Sequence, residues 1–391
     1  EKNMLYLFQE SAKNVPAYQD FLIKNGIDYH KVKSINDWGL IPPINKKNYL
    51  KQYPLKDLAW EGTLDKTLVF TATSGSTGEQ TYFFRHTKLD WQYSVLLKSF
   101  LEKRSESKKN SPILVIDCFG MGVWIAGVIT YRAFEIVSLE NSYPISIITP
   151  GVKKEIILQA LEKLAPNFDQ IILAGYPPFI KDIIDEALQL GIPLEKYKPR
   201  LVFAAESITE EFRDYVAMKL NIENQYLDIM NIYGSADIGA MAVESTTSIL
   251  IRKIIQASPD IFSSAFTSTN KTPTLAQYNP YFISFESMED RVLLTGDSAM
   301  PMIKYEIGDH GGVINFAEMN KKLKKYDIDI HEEARNHEIE QYVDEQPFVY
   351  VYEREDMSVS LYGLNIYPEW IRRALLETQV SGLETGKFEM V

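Results

Sequence analysis

Residues 71–84 read TATSGSTGEQTYFF, two glycines and a run of hydroxyl side chains between β-branched and aromatic residues. Gly75 and Gly78 let backbone N–H groups converge, and Thr73, Ser74, Ser76 and Thr77 add hydroxyl donors. Donors gathered this way suit an anion such as a polyphosphate; on this stretch alone the alternative is a hairpin loop of small residues. No Gly-Lys-Ser/Thr closes the loop and no helix pattern follows directly, so it is not the usual P-loop. It is not a hydrolase nucleophile elbow either, because residue 74 is Ser where that turn needs Gly. Three more stretches set charged groups beside glycines. NIYGSADIGAM carries Asp237, LLTGDSAMPMIKYEIGD carries Asp297 and Asp309, and EREDMSVSLYGLNIYP places Arg354 and Asp356 ahead of a Gly-x-Asn-x-Tyr-Pro turn.

The elements that must position these groups follow from periodicity. PILVID, QIILAG, RLVFAAE and YLDIMNIYG read as strands, and KKEIILQALEKL and PFIKDIIDEALQLG read as helices between them. In the second helix Ile180, Ile183, Ile184, Ala187 and Leu188 follow the i, i+3, i+4, i+7, i+8 rule of a core-facing stripe. Ser207 and Glu210 have the spacing of a capping box that starts a further helix. Strands alternating with helices predict right-handed crossovers, a largely parallel sheet and an α/β fold. Residues 1–60 read as mainly helical with a turn at LIPPINKK, and the polar run NKKLKKYDIDIHEEARNHEIEQ reads as a solvated helix or insertion. Phe119, Met121 and Trp124 in CFGMGVWIAG, and Tyr176 and Pro177 in AGYPPF, follow strands where such a sheet places its ligands. For any one of these aromatics, core packing is the competing role.

With 391 residues, 45% of them hydrophobic and 24% charged, the chain builds a large core and more than one domain. A net charge of −12 argues against nucleic acid, whose affinity rests on clustered Lys and Arg. Cys118 is the only cysteine, which rules out an internal disulfide and a cysteine metal cluster and makes a reducing, cytoplasmic setting the expectation. No run approaches the roughly 20 apolar residues of a membrane span. His331 and His337 stand six positions apart, not the four that put two imidazoles on one helix face, so no structural metal is expected.

Taken in order, the loop at 74–78, NIYGSADIGAM, MPMIKYEIGDHGG and the Arg354 stretch resemble the adenylate-forming superfamily of acyl-CoA ligases, luciferases and peptide-synthetase adenylation domains. The nearer resemblance is to phenylacetate-CoA ligase-like members, carried by NVPAYQDFLIKNGIDYHKVKSINDWGLIPPINKKNYLKQYP, MPMIKYEIGD and LETGKFEM; phenazine-biosynthesis adenylating proteins and acyl-protein synthetases belong to the same subgroup. The resemblance implies an adenylate-forming fold, with a large N-terminal domain of mixed and parallel sheets flanked by helices and a small C-terminal α+β domain. Residues 1–65 would be its helical entry segment, 66–352 the nucleotide- and acyl-binding core, and 353–391 the hinge and the start of the C-terminal domain.

The resemblance also implies roles. Ser74, Gly75, Ser76, Thr77 and Gly78 would surround the β- and γ-phosphates of ATP. Ala205, Glu206 and Tyr233 would flank adenine, Asn231 would bond its exocyclic amine, and Gly234 belongs to the same turn. Asp309, in preference to Asp297, would hold the ribose with Arg354. Asp237 stands where the family has a Glu that binds Mg²⁺, Ser235 would meet the reacting carboxylate or α-phosphate, and Asp356 marks the hinge. Phe119, Met121, Trp124, Tyr176 and Pro177 would line the acyl pocket. The family loop often carries a Lys where this chain has Glu79, Gln80 and Thr81.

The implied reaction joins a small carboxylic acid, aryl or acyl, to ATP with Mg²⁺ and passes the acyl group to a thiol, coenzyme A, in a monomer or homodimer that binds neither membrane nor nucleic acid. A protein or small-molecule acceptor, and an adenylate-binding protein without turnover, are the competing readings. The family's C-terminal domain carries a catalytic Lys well beyond the hinge, whereas Lys387 is the only Lys after Asp356. The chain is therefore expected to be part of a longer protein and, as it stands, to adenylate weakly.

Overall fold

The computed structural model describes residues 1–65, 68–73, 81–103, 111–122, 125–141, 143–266 and 272–352, with short pieces at 359–361, 364–366, 371 and 374–375. Of the expected site residues, Ser74, Gly75, Ser76, Thr77, Gly78, Trp124, Arg354 and Asp356 lie outside the described residues.

Helices α1 (Lys2–Asn14) and α2 (Pro16–Lys24) open the chain, and short 3-10 and π turns continue to Gly62. Pro16 begins α2 at a position where a missing N–H costs nothing. Phe8, Tyr18, Tyr49 and Ile44 from this segment are buried in one cluster with Phe285 and Tyr305. Next come the antiparallel pair β1 (Val69–Thr73) and β2 (Thr81–Arg85), the expected strand-loop-strand, and α3 (Thr87–Glu102).

The expected α/β alternation follows: β3 (Ile113–Asp117), α4 (Ala126–Asn141), β4 (Ile145–Ile148), α5 (Lys154–Lys163), β5 (Gln170–Gly175), α6 (Pro177–Gln189), β6 (Arg200–Ala204), α7 (Glu210–Leu220), α8 (Gln225–Asp228) and β7 (Ile229–Ser235). The chain continues through β8 (Gly239–Val243), α9 (Thr246–Gln256), α10 (Pro259–Ala265), β9 (Thr274–Gln277), β10 (Ile283–Met288), β11 (Arg291–Gly296), β12 (Met302–Ile314), α11 (Phe316–Leu323), α12 (Ile330–Asn336) and β13 (Phe348–Val351). Among the described residues, eleven strands form one sheet in the order β10-β11-β12-β13-β9-β8-β7-β6-β5-β3-β4.

The sheet is mixed rather than largely parallel. Strands β4, β3, β5, β6 and β7 run parallel, joined by helical crossovers; from β7 to β10 every neighbouring pair is antiparallel. Only Ala236, Asp237 and Ile238 separate β7 from β8, too few residues for a crossover, so the chain must turn back on itself. One face of the parallel half packs on α5, α6 and α7 and the other on α3 and α4. In α6, Ile180, Ile183, Ile184 and Ala187 are fully buried as the periodicity predicts, while Leu188, the fifth residue of the expected stripe, is only half-buried. Each of the three isoleucines contributes about 1.5–3 kcal/mol relative to exposure.

Three local expectations are corrected. The N-cap of α7 is Thr209, whose hydroxyl accepts from Phe212 N–H, and not Ser207; Glu210 instead joins a buried network with Arg213 and Arg252. Tyr226–Asp228 form the short helix α8 rather than the start of a strand, because the Asn224 side chain caps the Tyr226 N–H. The polar run from 320 to 341 is a packed helical unit, with Leu323, Ile330, Ala334 and Ile339 buried beneath it against Phe348. No helix among the described residues is long and apolar enough to cross a membrane.

Candidate active site

The carboxyl ends of β6 and β7 and the middle of β12 converge. Strand β6 leads into Ala205, held at φ +79°, a left-handed conformation that costs an alanine on the order of 1–3 kcal/mol. This turn exposes the Ala205–Glu206 backbone at the strand end. Glu206 C=O accepts from Asn231 Nδ2 at 3.2 Å, and Glu206 Oε1 accepts from Tyr176 Oη at 2.6 Å. Asn231 lies on β7, is 1% exposed, and its Oδ1 has no hydrogen-bond partner among the described residues. A buried amide oxygen left without a donor is costly, and this one is free to accept an N–H.

Two residues along β7, Tyr233 donates from its phenol to Asp309 Oδ2 at 2.6 Å, and its ring lies 6.1 Å from that of Phe285. Burial and the neighbouring acid push the Tyr233 phenol well above its ordinary pKa. Gly234 has no room for a side chain, since a Cβ there would stand 2.7 Å from Gly239 C=O. Ser235 Oγ is buried and has no partner among the described residues. The same turn is fastened to β1 by Thr71, whose hydroxyl donates to Ala236 C=O at 2.7 Å.

Asp237 is 7% exposed, and its Oδ2 is met from two distant parts of the chain. Tyr305 Oη donates to it at 2.7 Å, and Lys46 Nζ lies 3.3 Å away. One feature brings both partners to it: Ile44 forms a parallel bridge with Tyr305, donating to Lys304 C=O and accepting from Glu306 N–H. Asn45 then caps the N–H groups of Lys47 and Asn48 and turns the chain so that Lys46 faces the acid. Asp237 Oδ1 accepts no hydrogen bond among the described residues. No group of three or more His, Cys, Asp or Glu side chains there is arranged to hold a metal. One carboxylate oxygen suits Mg²⁺, which is ordinarily bound by one or two carboxylates and by substrate phosphates.

Asp297, the alternative ribose acid, pairs instead with Lys88 at the start of α3. Beside Ser235 lies a cavity of about 120 Å³, lined by Tyr93, Ile125, Ile129, Thr130 and Ala204 among others. Of the residues expected in an acyl pocket, Phe119 is buried in the core beneath α4, Met121 is exposed and leans on Gly127, Tyr176 bonds Glu206, and Pro177 is buried in the first turn of α6; none of these four lines this cavity.

Lys46, Tyr305, Tyr93 and Thr130 were not singled out in the sequence. Tyr305 sits in MPMIKYEIGD four residues before Asp309, but β12 is irregular against β11 between Glu306 and His310, so alternation alone does not give its direction. Lys46 carried no signal, because its role depends on a contact with a strand far away in the chain.

No model of a known protein family matches the sequence, and no curated protein does. Solved structures do match in fold. A 2-hydroxyisobutyryl-CoA ligase, in an open conformation with 2-HIB-AMP and CoA, aligns with a TM-score of 0.61 at 15% identity over 100% of this chain and 81% of that one. The same ligase in its postadenylation state with 2-HIB-AMP gives a TM-score of 0.63 at 14% identity over 96% and 71%. The acyl acid amido synthetase AtGH3.15, in complex with 2,4-DB, gives 0.52 at 11% identity over 96% and 72%. The chain thus shares its mixed α/β fold with these two enzymes.

Proposed function

We propose that this protein activates a short carboxylic acid with ATP, forming an acyl adenylate and pyrophosphate, and passes the acyl group to the thiol of coenzyme A. The observation that carries the reading is the unpaired Asn231 Oδ1, buried beside the strained Ala205 turn and two residues from the Tyr233–Asp309 pair. Adenine presents the N–H that Asn231 lacks and a flat face for Tyr233, and a ribose presents two hydroxyls to Asp309. The phenylacetate-CoA ligase-like motifs in the sequence and the one CoA ligase that shares the fold support the choice of acceptor.

In the proposed reaction an oxygen of the carboxylate attacks the α-phosphorus and the bond to the β-phosphate oxygen breaks. The thiol sulfur then attacks the acyl carbon, AMP departs and the thiol proton is lost. Ser235 lines the cavity and its Oγ has no partner among the described residues, so it would donate to the carboxylate or α-phosphate. Asp237 would hold Mg²⁺ through Oδ1, and the ion when bound supplies neutralisation of the phosphate charge. Lys46, 3.3 Å from Asp237 Oδ2, offsets one negative charge at a site where a polyphosphate must also fit. The work is positioning and charge stabilisation, with no covalent attack by a side chain. The cavity, about 120 Å³ and lined mainly by apolar side chains, suits a small apolar acid.

Carboxylate-dependent exchange of labelled pyrophosphate into ATP tests the reading. Exchange that appears only with a short acid is the expected result. ATP binding by calorimetry without exchange for any acid would make the protein an adenylate binder and overturn it.

A further inference from the structure

The β6–β7 ladder ends at the pair Ala204 and Ile232, and beyond it side chains hold the turn at 205–208. Asn231 Nδ2 donates to Glu206 C=O, and two residues further along Arg252 Nη2 donates to Ile208 C=O at 2.7 Å. The first bond orients an amide. An asparagine that donates through Nδ2 must present Oδ1 elsewhere, so the place of Glu206 decides whether Asn231 shows the site an acceptor or a donor.

Arg252 lies on α9, is 3% exposed, and belongs to a closed ring of charges. Its Nη1 donates to Glu244 Oε1, and its Nε lies 3.3 Å from Glu210 Oε1. Arg213 closes the ring from α7: Nε donates to Glu210 Oε2 at 3.0 Å, Nη2 to Glu244 Oε2 at 2.5 Å and Nη1 to Ile229 C=O at 3.2 Å. Lys253 adds a partly exposed cation 3.7 Å from Glu210 and 2.7 Å from Asp214. The Glu244 N–H carries the connection onward, donating to Asn231 C=O at 2.7 Å. Arg252 and Glu244 thus form a strap from the 205–208 turn to the main chain of the residue whose amide that turn orients. Apolar side chains could fasten α9 to α7 as well as buried ion pairs do. They could not hold a carbonyl oxygen at a fixed point, which a guanidinium fork does.

Resting on the assignment of Asn231 to adenine above, we propose that Arg252 and Glu244 are positioning residues that set the choice of base. By holding Ile208, and with it Glu206, the strap keeps Asn231 Oδ1 turned toward the ligand. The exocyclic amine of adenine donates to that oxygen, whereas guanine has a carbonyl oxygen there and sets acceptor against acceptor. Once the strap is loosened the amide can rotate and offer Nδ2, which guanine accepts.

The test is titration calorimetry of the chain with AMP and with GMP, which needs no acid substrate. The native chain is expected to bind AMP at least about tenfold more tightly than GMP, as sites built around a ligand hydrogen bond discriminate. That ratio should fall by about fivefold or more in Arg252→Lys, which keeps the charge but cannot span Glu244 and the Ile208 carbonyl with one rigid fork. Glu244→Gln, a near-isosteric change, should lower the ratio in the same direction and reads the strap should the lysine variant not fold. Arg213→Lys disturbs the same ring at Ile229, where β6 and β7 are already paired, and should lower the thermal midpoint while leaving the ratio intact. A native chain without preference for AMP, a ratio that survives both strap variants, or an equal fall in Arg213→Lys would overturn the proposal, and pyrophosphate exchange would still decide acid activation separately. Binding of neither nucleotide would bring down the adenine assignment, and the strap with it.

Discussion

The Tyr233 phenol donates a 2.6 Å hydrogen bond to Asp309 Oδ2 and so joins the end of β7 to the middle of β12. The bond fixes the plane of the ring and points one carboxylate into the same space. Asp297, by contrast, is neutralised by Lys88 on another element.

Asp309→Ala is expected to raise the ATP dissociation constant by about 10- to 150-fold, the equivalent of about 1.5–3 kcal/mol for a charged-group hydrogen bond. Asp297→Ala should change it by less than about fivefold, the scale of a partly exposed ion pair. Titration calorimetry on both variants decides between them, and the reverse order would move the ribose to Asp297.

Asp237→Asn keeps a side chain that Tyr305 can bond but removes the charge that faces Lys46. The variant should lose magnesium dependence and pyrophosphate exchange while binding AMP almost as before, because AMP has no bridged phosphates. An equal loss of AMP and ATP binding would mean that Asp237 supports the fold instead.

Gly239 sits at φ +93°, and a Cβ there would stand 2.7 Å from a guanidinium nitrogen of Arg85, itself paired with the buried Asp90. Gly191 also has positive φ, +76°, but nothing within 4 Å of a Cβ. Both alanine variants should lose stability, Gly191→Ala by about 1 kcal/mol of backbone strain. Gly239→Ala should lose about 1–3 kcal/mol more because a buried ion pair must shift. Denaturant unfolding measures the difference; equal losses would show that Arg85 yields freely.

Asp117 gives the stability a pH dependence of definite sign. Burial pushes its carboxyl from the usual 3.8 up to about 8, although the Phe119 N–H pulls the other way. The folded chain holds this proton more tightly than the unfolded chain does. The stability that Asp117 supplies is therefore complete below about pH 4 and drains away as the pH climbs toward 8, by at most about 1.4 kcal/mol per unit. Asp117→Asn should gain on the native chain across that window and run parallel to it above 8, as followed by thermal unfolding in matched buffers. A constant offset from pH 4 to 9 would mean that the carboxyl titrates normally.

The parallel half of the fold was legible because its signals are local. Ile180, Ile183, Ile184 and Ala187 repeat at helical spacing, and β3, β5 and β6 are short apolar runs between turns. The antiparallel half was not, since the direction of β8 is set by a three-residue turn rather than by any residue preference. Within the site, Asn231, Tyr233 and Asp309 share motifs that also bring them together in space. The cavity is different: Tyr93, Ile125, Ile129 and Thr130 come from two helices whose inward positions look like any other core stripe. Only the packing of α3 and α4 against β3 and β6 shows which of these residues face a void.

The Ile44–Tyr305 bridge has a consequence for the order in which the molecule is made. The first 60 residues leave the ribosome long before β12, yet Ile44 and Trp38 bury their surfaces in a cluster with Phe285 and Tyr305. Such contacts have a very long sequence separation and form late, so the N-terminal segment must wait with its aromatic face uncovered until β10 to β12 are synthesised. Lys46 cannot reach Asp237 before that docking. The charge balance of the site is thus completed near the end of folding, and chaperone dependence during synthesis is where damage to this bridge would first be felt.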